Sequence, residues 1–75
     1  MNLEEFKDKA KVEDRNKRSE FGGLEIEIST LSSFKIVKKT YFYTDKSNQT
    51  FQFFFFEDQE VKEAEFLTHL TNYKD

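Results

Sequence analysis

The stretch TFQFFFFEDQE, residues 50–60, places five of the chain's ten phenylalanines within six positions and then turns acidic. Successive side chains of an extended strand point to opposite faces. The rings on one face are those of Phe51, Phe53 and Phe55, and those on the other are Phe54 and Phe56. Since both faces are apolar, the pattern predicts a strand that is covered on both sides.

Two alternating stretches precede this strand. LEIEI, residues 24–28, places Leu24, Ile26 and Ile28 on one face, which we expect to be buried. FKIVKKTYFYT, residues 34–44, alternates in the same way. Short polar segments separate the stretches, and short loops permit hairpins but not parallel crossovers. The sequence therefore predicts a three-stranded antiparallel meander over 24–30, 34–44 and 49–57.

The second hairpin has a polar loop at residues 45–49, and one register open to it pairs Phe42 with Phe51; another register would change the partners. The face opposite that pair would then carry aromatic side chains from both strands. The members of this expected aromatic face are Tyr41, Tyr43, Phe54 and Phe56.

A helix is predicted at each end of the chain. Asn2 is a candidate N-cap, and Leu3, Phe6 and Ala10 share one helical face in a charged helix or arm over 1–21. Asp58 is expected to cap a closing helix over 58–73. Its apolar positions are Val61, Ala64, Phe66, Leu67, Leu70 and Tyr73. The predicted fold is a single α+β domain, 1–75, in the order α-β-β-β-α.

The composition limits the kinds of functional site that the chain can form. The chain has no cysteine and one histidine, His69, so the sequence predicts neither a metal site nor a cofactor site. It offers no nucleophile–base pattern, and we expect no enzymatic activity. No apolar stretch approaches the length of a membrane span, and without cysteines a cytoplasmic location is the default expectation.

Charge argues against duplex nucleic acid as a partner. Residues 51–75 hold two basic and six acidic side chains in a chain of net charge −3. The predicted order resembles that of double-stranded-RNA-binding domains in topology alone, because Glu57-Asp58-Gln59-Glu60 stands where that family has a lysine cluster.

A second resemblance is more local. Residues 51–70 are similar to the third strand and second helix of an RNA-recognition motif, with Phe51, Phe53 and Phe56 at its aromatic positions. The chain has no room for that family's first and last strands. Nucleic-acid binding through Lys35, Lys38, Lys39 and the strand aromatics is kept as an alternative function.

Two arrangements remain open for the second face of the Phe-rich strand. Either the first helix covers it, or it stays open for a partner or for a second copy of the chain. The second arrangement predicts a homodimer, because two phenylalanines left in water favour pairing.

The expected function is that of a small, acidic, non-catalytic protein-binding module: an inhibitor, a regulator or an accessory subunit of a larger protein, with nucleic-acid-processing proteins as one candidate class. The expected partner-binding residues are Tyr41, Tyr43, Phe54, Phe56, Glu60, Glu63 and Glu65. The three glutamates predict a partner with a basic surface. We expect Glu63 and Glu65 to lie past the first turn of the closing helix, where the helix dipole does not explain them.

Overall fold

The computed structural model describes residues 1–15, 23–43, 45 and 47–73. It confirms an α+β fold with an antiparallel sheet and a helix near each end, but the sheet has five strands rather than three. The helices are α1 (Leu3–Lys9) and α2 (Glu63–Thr71). The strands are β1 (Lys11–Arg15), β2 (Gly23–Leu31), β3 (Phe34–Phe42), β4 (Asn48–Phe56) and β5 (Gln59–Val61), and they lie side by side in sequence order.

Helix α1 begins as the sequence predicts. The Asn2 side chain accepts a 2.8 Å hydrogen bond from the Glu5 backbone N–H, which satisfies one of the free donors of the first turn. Phe6 is fully buried, and Leu3 and Ala10 pack against the same core. The apolar positions of this short helix therefore all serve one contact surface.

Within the predicted charged helix or arm over 1–21, the helix ends at Lys9 and a strand follows. Ala10 is already extended, and β1 follows it and pairs with β2. The sequence lacks an apolar helical stripe beyond Val12, so nothing anchors a longer helix, whereas strand pairing satisfies the backbone donors and acceptors. The remainder of the predicted arm, residues 16–21, lies outside the described residues.

The closing helix starts later than predicted, since α2 begins at Glu63. Asp58 caps no helix: with Glu57 it forms the two-residue turn between β4 and β5, and both residues have positive φ, 52° for Glu57 and 64° for Asp58. Val61 then pairs with Phe54 and packs against the core. A further hairpin thus replaces the first turn of the predicted helix.

The core lies between the two helices and one face of the sheet. Phe66 of α2 is its centre, with ring centroids 5.7 Å from Phe6, 5.4 Å from Phe34 and 5.1 Å from Phe54. The buried set is Phe6, Phe34, Ile36, Phe54, Phe66 and Leu70. Each such burial stabilises the fold by about 1.5–3 kcal/mol. Since Phe6 and Phe66 touch, α1 and α2 share one face, and the arrangement in which α1 covers the other face is wrong.

The second hairpin has a different register from the one considered for it above. Phe42 pairs with Asn48, not with Phe51. The reversal centres on Asp45, whose carboxylate accepts hydrogen bonds from the Ser47 N–H (3.0 Å) and hydroxyl (2.6 Å). Moving the pairing by three residues, an odd number, exchanges the face that each β4 side chain shares with β3.

Candidate functional site: the helix-free face of the sheet

The face of the sheet opposite the helices is apolar. Cross-strand partners share a face, so the register places Leu24, Ile26 and Ile28 beside the odd-numbered residues of β3 and β4. We call this surface the helix-free face. Its apolar members are Leu24, Ile26, Ile28, Val37, Tyr41, Phe51, Phe53 and Phe55. No helix or strand among the described residues lies over them.

Among the described residues, these side chains are covered only by one another and by their neighbours in the sheet. Phe51 keeps 48% of its surface exposed, and its ring meets that of Tyr41 edge-to-face at 5.9 Å. Tyr43 follows on the same side by alternation and is 47% exposed. The other members are half-buried. The helix-free face is thus a broad, shallow surface with exposed aromatic rings.

Two lysines of β3 lie across the phenylalanines of β4. The Lys39 ammonium nitrogen is 5.1 Å from the Phe53 ring centroid, and that of Lys35 is 5.4 Å from the Phe55 centroid. Such cation–π contacts are worth about 0.5–1 kcal/mol at exposed sites. The lysine stems add apolar surface to the face while the ammonium groups stay above the rings.

Beyond the helices, and apart from the exposed Val12, the other face of the sheet is mostly polar. Lys38 and Glu27 form an ion pair at 3.7 Å, and the Thr40 and Thr50 hydroxyls are 3.1 Å apart. Polar side chains there are satisfied by cross-strand neighbours and solvent. The part of this face that α1 and α2 leave uncovered therefore needs no apolar partner.

The prediction that the four residues of the expected aromatic face share one side of the sheet is wrong. Tyr41 and Tyr43 belong to the helix-free face, whereas Phe54 is 6% exposed in the core and Phe56 stacks on His69 with centroids 4.1 Å apart. The register shift is the reason. The aromatic partners of Tyr41 on its own face are the odd-numbered phenylalanines of β4 instead.

The three glutamates of the expected partner-binding set also lie on different elements. Glu60 lies on β5 opposite Phe55, at the edge of the helix-free face. Glu63 and Glu65 lie in the first turn of α2, where acidic side chains favour the positive end of the helix dipole. The expectation that these two lie past the first turn is therefore wrong, because the helix starts later, and the dipole gives them a structural reason.

The lysines of the alternative function do not form one patch. Lys35 and Lys39 are on the helix-free face, but Lys38 is on the opposite side of the sheet. A nucleic-acid strand lying on one face would meet two of the three.

His69 lies in the helical layer, on the side of the sheet opposite the helix-free face. Its Nε2 is 3.7 Å from Glu65 Oε1. Residues four apart on a helix can make such a contact. It borders an open cavity of about 300 Å³. The walls are Ser32, Ser33, Phe34, Phe56, His69, Asn72 and Tyr73. The ring stacks on Phe56, so packing accounts for its position.

The part of the chain that the structure describes holds no group of three or more histidine or acidic side chains arranged to bind a metal ion. None of its helices is long and apolar enough to cross a membrane.

The chain matches no protein-family model, no curated protein and no solved structure. Its function has to be inferred from the fold and from the chemistry of its surfaces.

Proposed function

We propose that the chain is a small, non-catalytic protein-binding module whose docking surface is the helix-free face. The observation that carries this proposal is the position of the helices: α1 and α2 share one side of the sheet, and the apolar side chains of the helix-free face lie on the other. Large exposed apolar patches of this kind mark interaction sites in folded proteins.

The composition of the face supports a protein partner. Aromatic side chains are enriched in the centres of protein interfaces, where they exclude water and provide much of the binding energy. Phe51, Phe53 and Tyr41 form such a group, and the aliphatic side chains of β2 extend it. The face is the surface of a sheet, whereas sites for small molecules are concave clefts. An inhibitor, a regulator or an accessory subunit would act through a surface of this shape.

One observation favours the alternative, nucleic-acid binding: lysine ammonium groups alternate with aromatic rings on the same face. Single strands are bound by stacking bases on exposed rings. Here the lysines already lie over Phe53 and Phe55, and aliphatic side chains make up the β2 side. A protein surface suits this face better.

A partner with a basic surface stays a prediction that rests on Glu60 alone among the three glutamates, because it is the one that borders the helix-free face. Charge at the edge of an apolar interface mainly changes the association rate.

The test is a pull-down from lysate of the source cells with two tagged variants beside the native chain. Ile28→Thr with Phe53→Thr makes the helix-free face polar while keeping good strand formers. Val12→Thr is the matched control, since Val12 is 45% exposed and borders a groove beside α1 on the opposite side.

We expect a protein that the native chain and the control retain and that the double variant loses. The purified partner should then bind the double variant at least about tenfold more weakly. Equal retention by all three chains would contradict the proposal.

A further inference from the structure

We infer that the occupant of the helix-free face is a second copy of this chain, packed face to face so that the two sheets form a sandwich. The inference rests on the proposed function, because it names the protein that the face binds. Aligned sheets pack about 10 Å apart, with their strands within about 30° of each other.

The face is self-complementary about a two-fold axis parallel to β3. Its aliphatic column, on β2, lies on one side of β3, and its phenylalanine column, on β4, lies on the other. A two-fold axis between the sheets places the β2 column of each copy over the β4 column of its mate. Ile26 then meets Phe51, and Ile28 meets Phe53, twice in the dimer. This is the reciprocal contact that a two-fold interface requires.

Charges at the two edges of the sheet obey the same symmetry. One row crosses all five strands, in the order Lys11, Thr30, Lys35, Phe55 and Glu60. Lys11 is at the β1 edge and Glu60 at the β5 edge, and both are exposed. The same axis places Lys11 of each copy over Glu60 of the other. The row is thus complementary to itself.

The area of the face is in the range that a dimer needs. Neighbouring strands are about 4.8 Å apart; the three nine-residue strands rise about 30 Å each, and β1 and β5, with five and three residues, rise about 17 and 10 Å. The resulting surface, about 600 Å² in projection, is close to the roughly 800 Å² that each partner buries in a standard interface. The core of the described residues is small, with six buried side chains, and small domains often depend on association.

The lysines of the central strand are compatible with this packing. The ammonium groups of Lys35 and Lys39 extend toward β4 of their own chain. The two-fold axis places the two β4 strands on opposite sides, so the ammonium groups of the two copies diverge. Lys35 is also 3.7 Å from the Asp58 carboxylate. Lys35 thus keeps a carboxylate neighbour of its own, whereas the Lys39 ammonium has to move off the Phe53 ring where Ile28 of the other copy packs.

Sedimentation of the purified chain from low to high micromolar concentration tests the inference. We expect a reversible change from one to two chain masses. The variant Ile28→Thr with Phe53→Thr should raise the dissociation constant about tenfold or more, because the contacts of both residues are lost twice in each dimer. Val12→Thr should leave it unchanged. A monomer at every concentration, or a dimer that the double variant does not weaken, would overturn the inference.

A charge exchange tests the orientation with substitutions at exposed edge positions. Lys11→Glu and Glu60→Lys should each weaken the dimer several-fold, because like charges then face each other. The chain that carries both substitutions should recover native affinity, since opposite charges again face each other across the interface. Failure of the double exchange to recover affinity would overturn the proposed axis.

Two further outcomes separate this inference from the function it rests on. A monomeric chain whose helix-free face still retains a different protein in the pull-down would refute the second copy and leave the proposed function standing. A monomer that binds a labelled oligothymidine, and loses that binding with Phe53→Thr, would refute both and assign the face to single-stranded nucleic acid.

Discussion

The two faces of the sheet differ in what covers their phenylalanines, although both sets come from the same strand, β4. On one face, α1 and α2 bury Phe54 together with Phe34 and Ile36. On the other, the described residues that cover Phe53 are Lys39 and its neighbours in the sheet. One strand therefore supplies a core on one side and, in our proposal, a binding surface on the other.

The same substitution at two adjacent positions distinguishes the faces most directly. Phe54→Ala should lower the free energy of unfolding by about 3–5 kcal/mol, because it removes a buried ring whose centroid is 5.1 Å from that of Phe66. Phe53→Ala should cost the monomer about 1 kcal/mol, since strand propensity and a partly exposed contact are lost. Urea titration of both variants at low concentration measures the difference.

Concentration provides the control for this pair. If Phe53 belongs to an interface between copies, its substitution should cost more at high protein concentration, because association stabilises the native chain. The stability cost of Phe54→Ala should not increase with protein concentration. Equal costs for the two substitutions at low concentration would mean that the two faces do not differ as described.

The faces of individual strands could be predicted from the sequence. The alternation of β3, and the division of the β4 phenylalanines between two sides, follow from the two-residue period alone. Which β3 residues share a side with Phe53 could not be predicted, because that depends on register. The register depends on the geometry of the turn, in which Asp45 accepts hydrogen bonds from Ser47, and polar loops of this length permit several registers.

The sequence did not predict the two edge strands, β1 and β5. β1 is a short edge strand in a charged segment, without the apolar alternation that marks a strand. β5 follows a turn that Glu57 and Asp58 make with positive φ, a conformation for which this pair is not a usual sequence signal. The side chains that make up the helix-free face were all visible in the alternation. That both helices leave these side chains uncovered could be found only from the structure.

Substitutions in the turn between β4 and β5 should change the free energy of unfolding by a smaller amount. This turn also determines which face of the sheet each β5 side chain joins. This turn sends Glu60 to the helix-free face and Val61 to the core. Glu57→Asn with Asp58→Gly should raise the free energy of unfolding by about 1 kcal/mol, because asparagine and glycine tolerate positive φ. Thermal unfolding measures the gain. Glu60→Gln, which removes a charge without changing the turn, should give none; a loss of stability in the turn variant would contradict the assigned geometry.

The smallest expected effect concerns the loop that sets the register. The Ser47 hydroxyl, followed by the Ser47 N–H, lowers the pKa of Asp45 below its usual 3.8. A carboxyl whose pKa is lower in the folded state stabilises the fold above its unfolded pKa, and that contribution is lost as the pH falls through the folded value. Ser47→Ala should move the pKa back toward 3.8 in a carbon-detected NMR titration. An unchanged pKa would mean that the hydroxyl does not make this contact.

Contact between the helix-free faces of two copies can be measured directly. An equal mixture of isotope-labelled and unlabelled chain, at a concentration where sedimentation shows two chain masses, separates contacts between copies from contacts within one. We expect isotope-filtered NOEs from the Ile28 methyl groups of labelled chains to phenylalanine ring protons of unlabelled chains. Filtered NOEs that arise instead from α1 or α2, with none from the residues of β2, would contradict the face-to-face dimer.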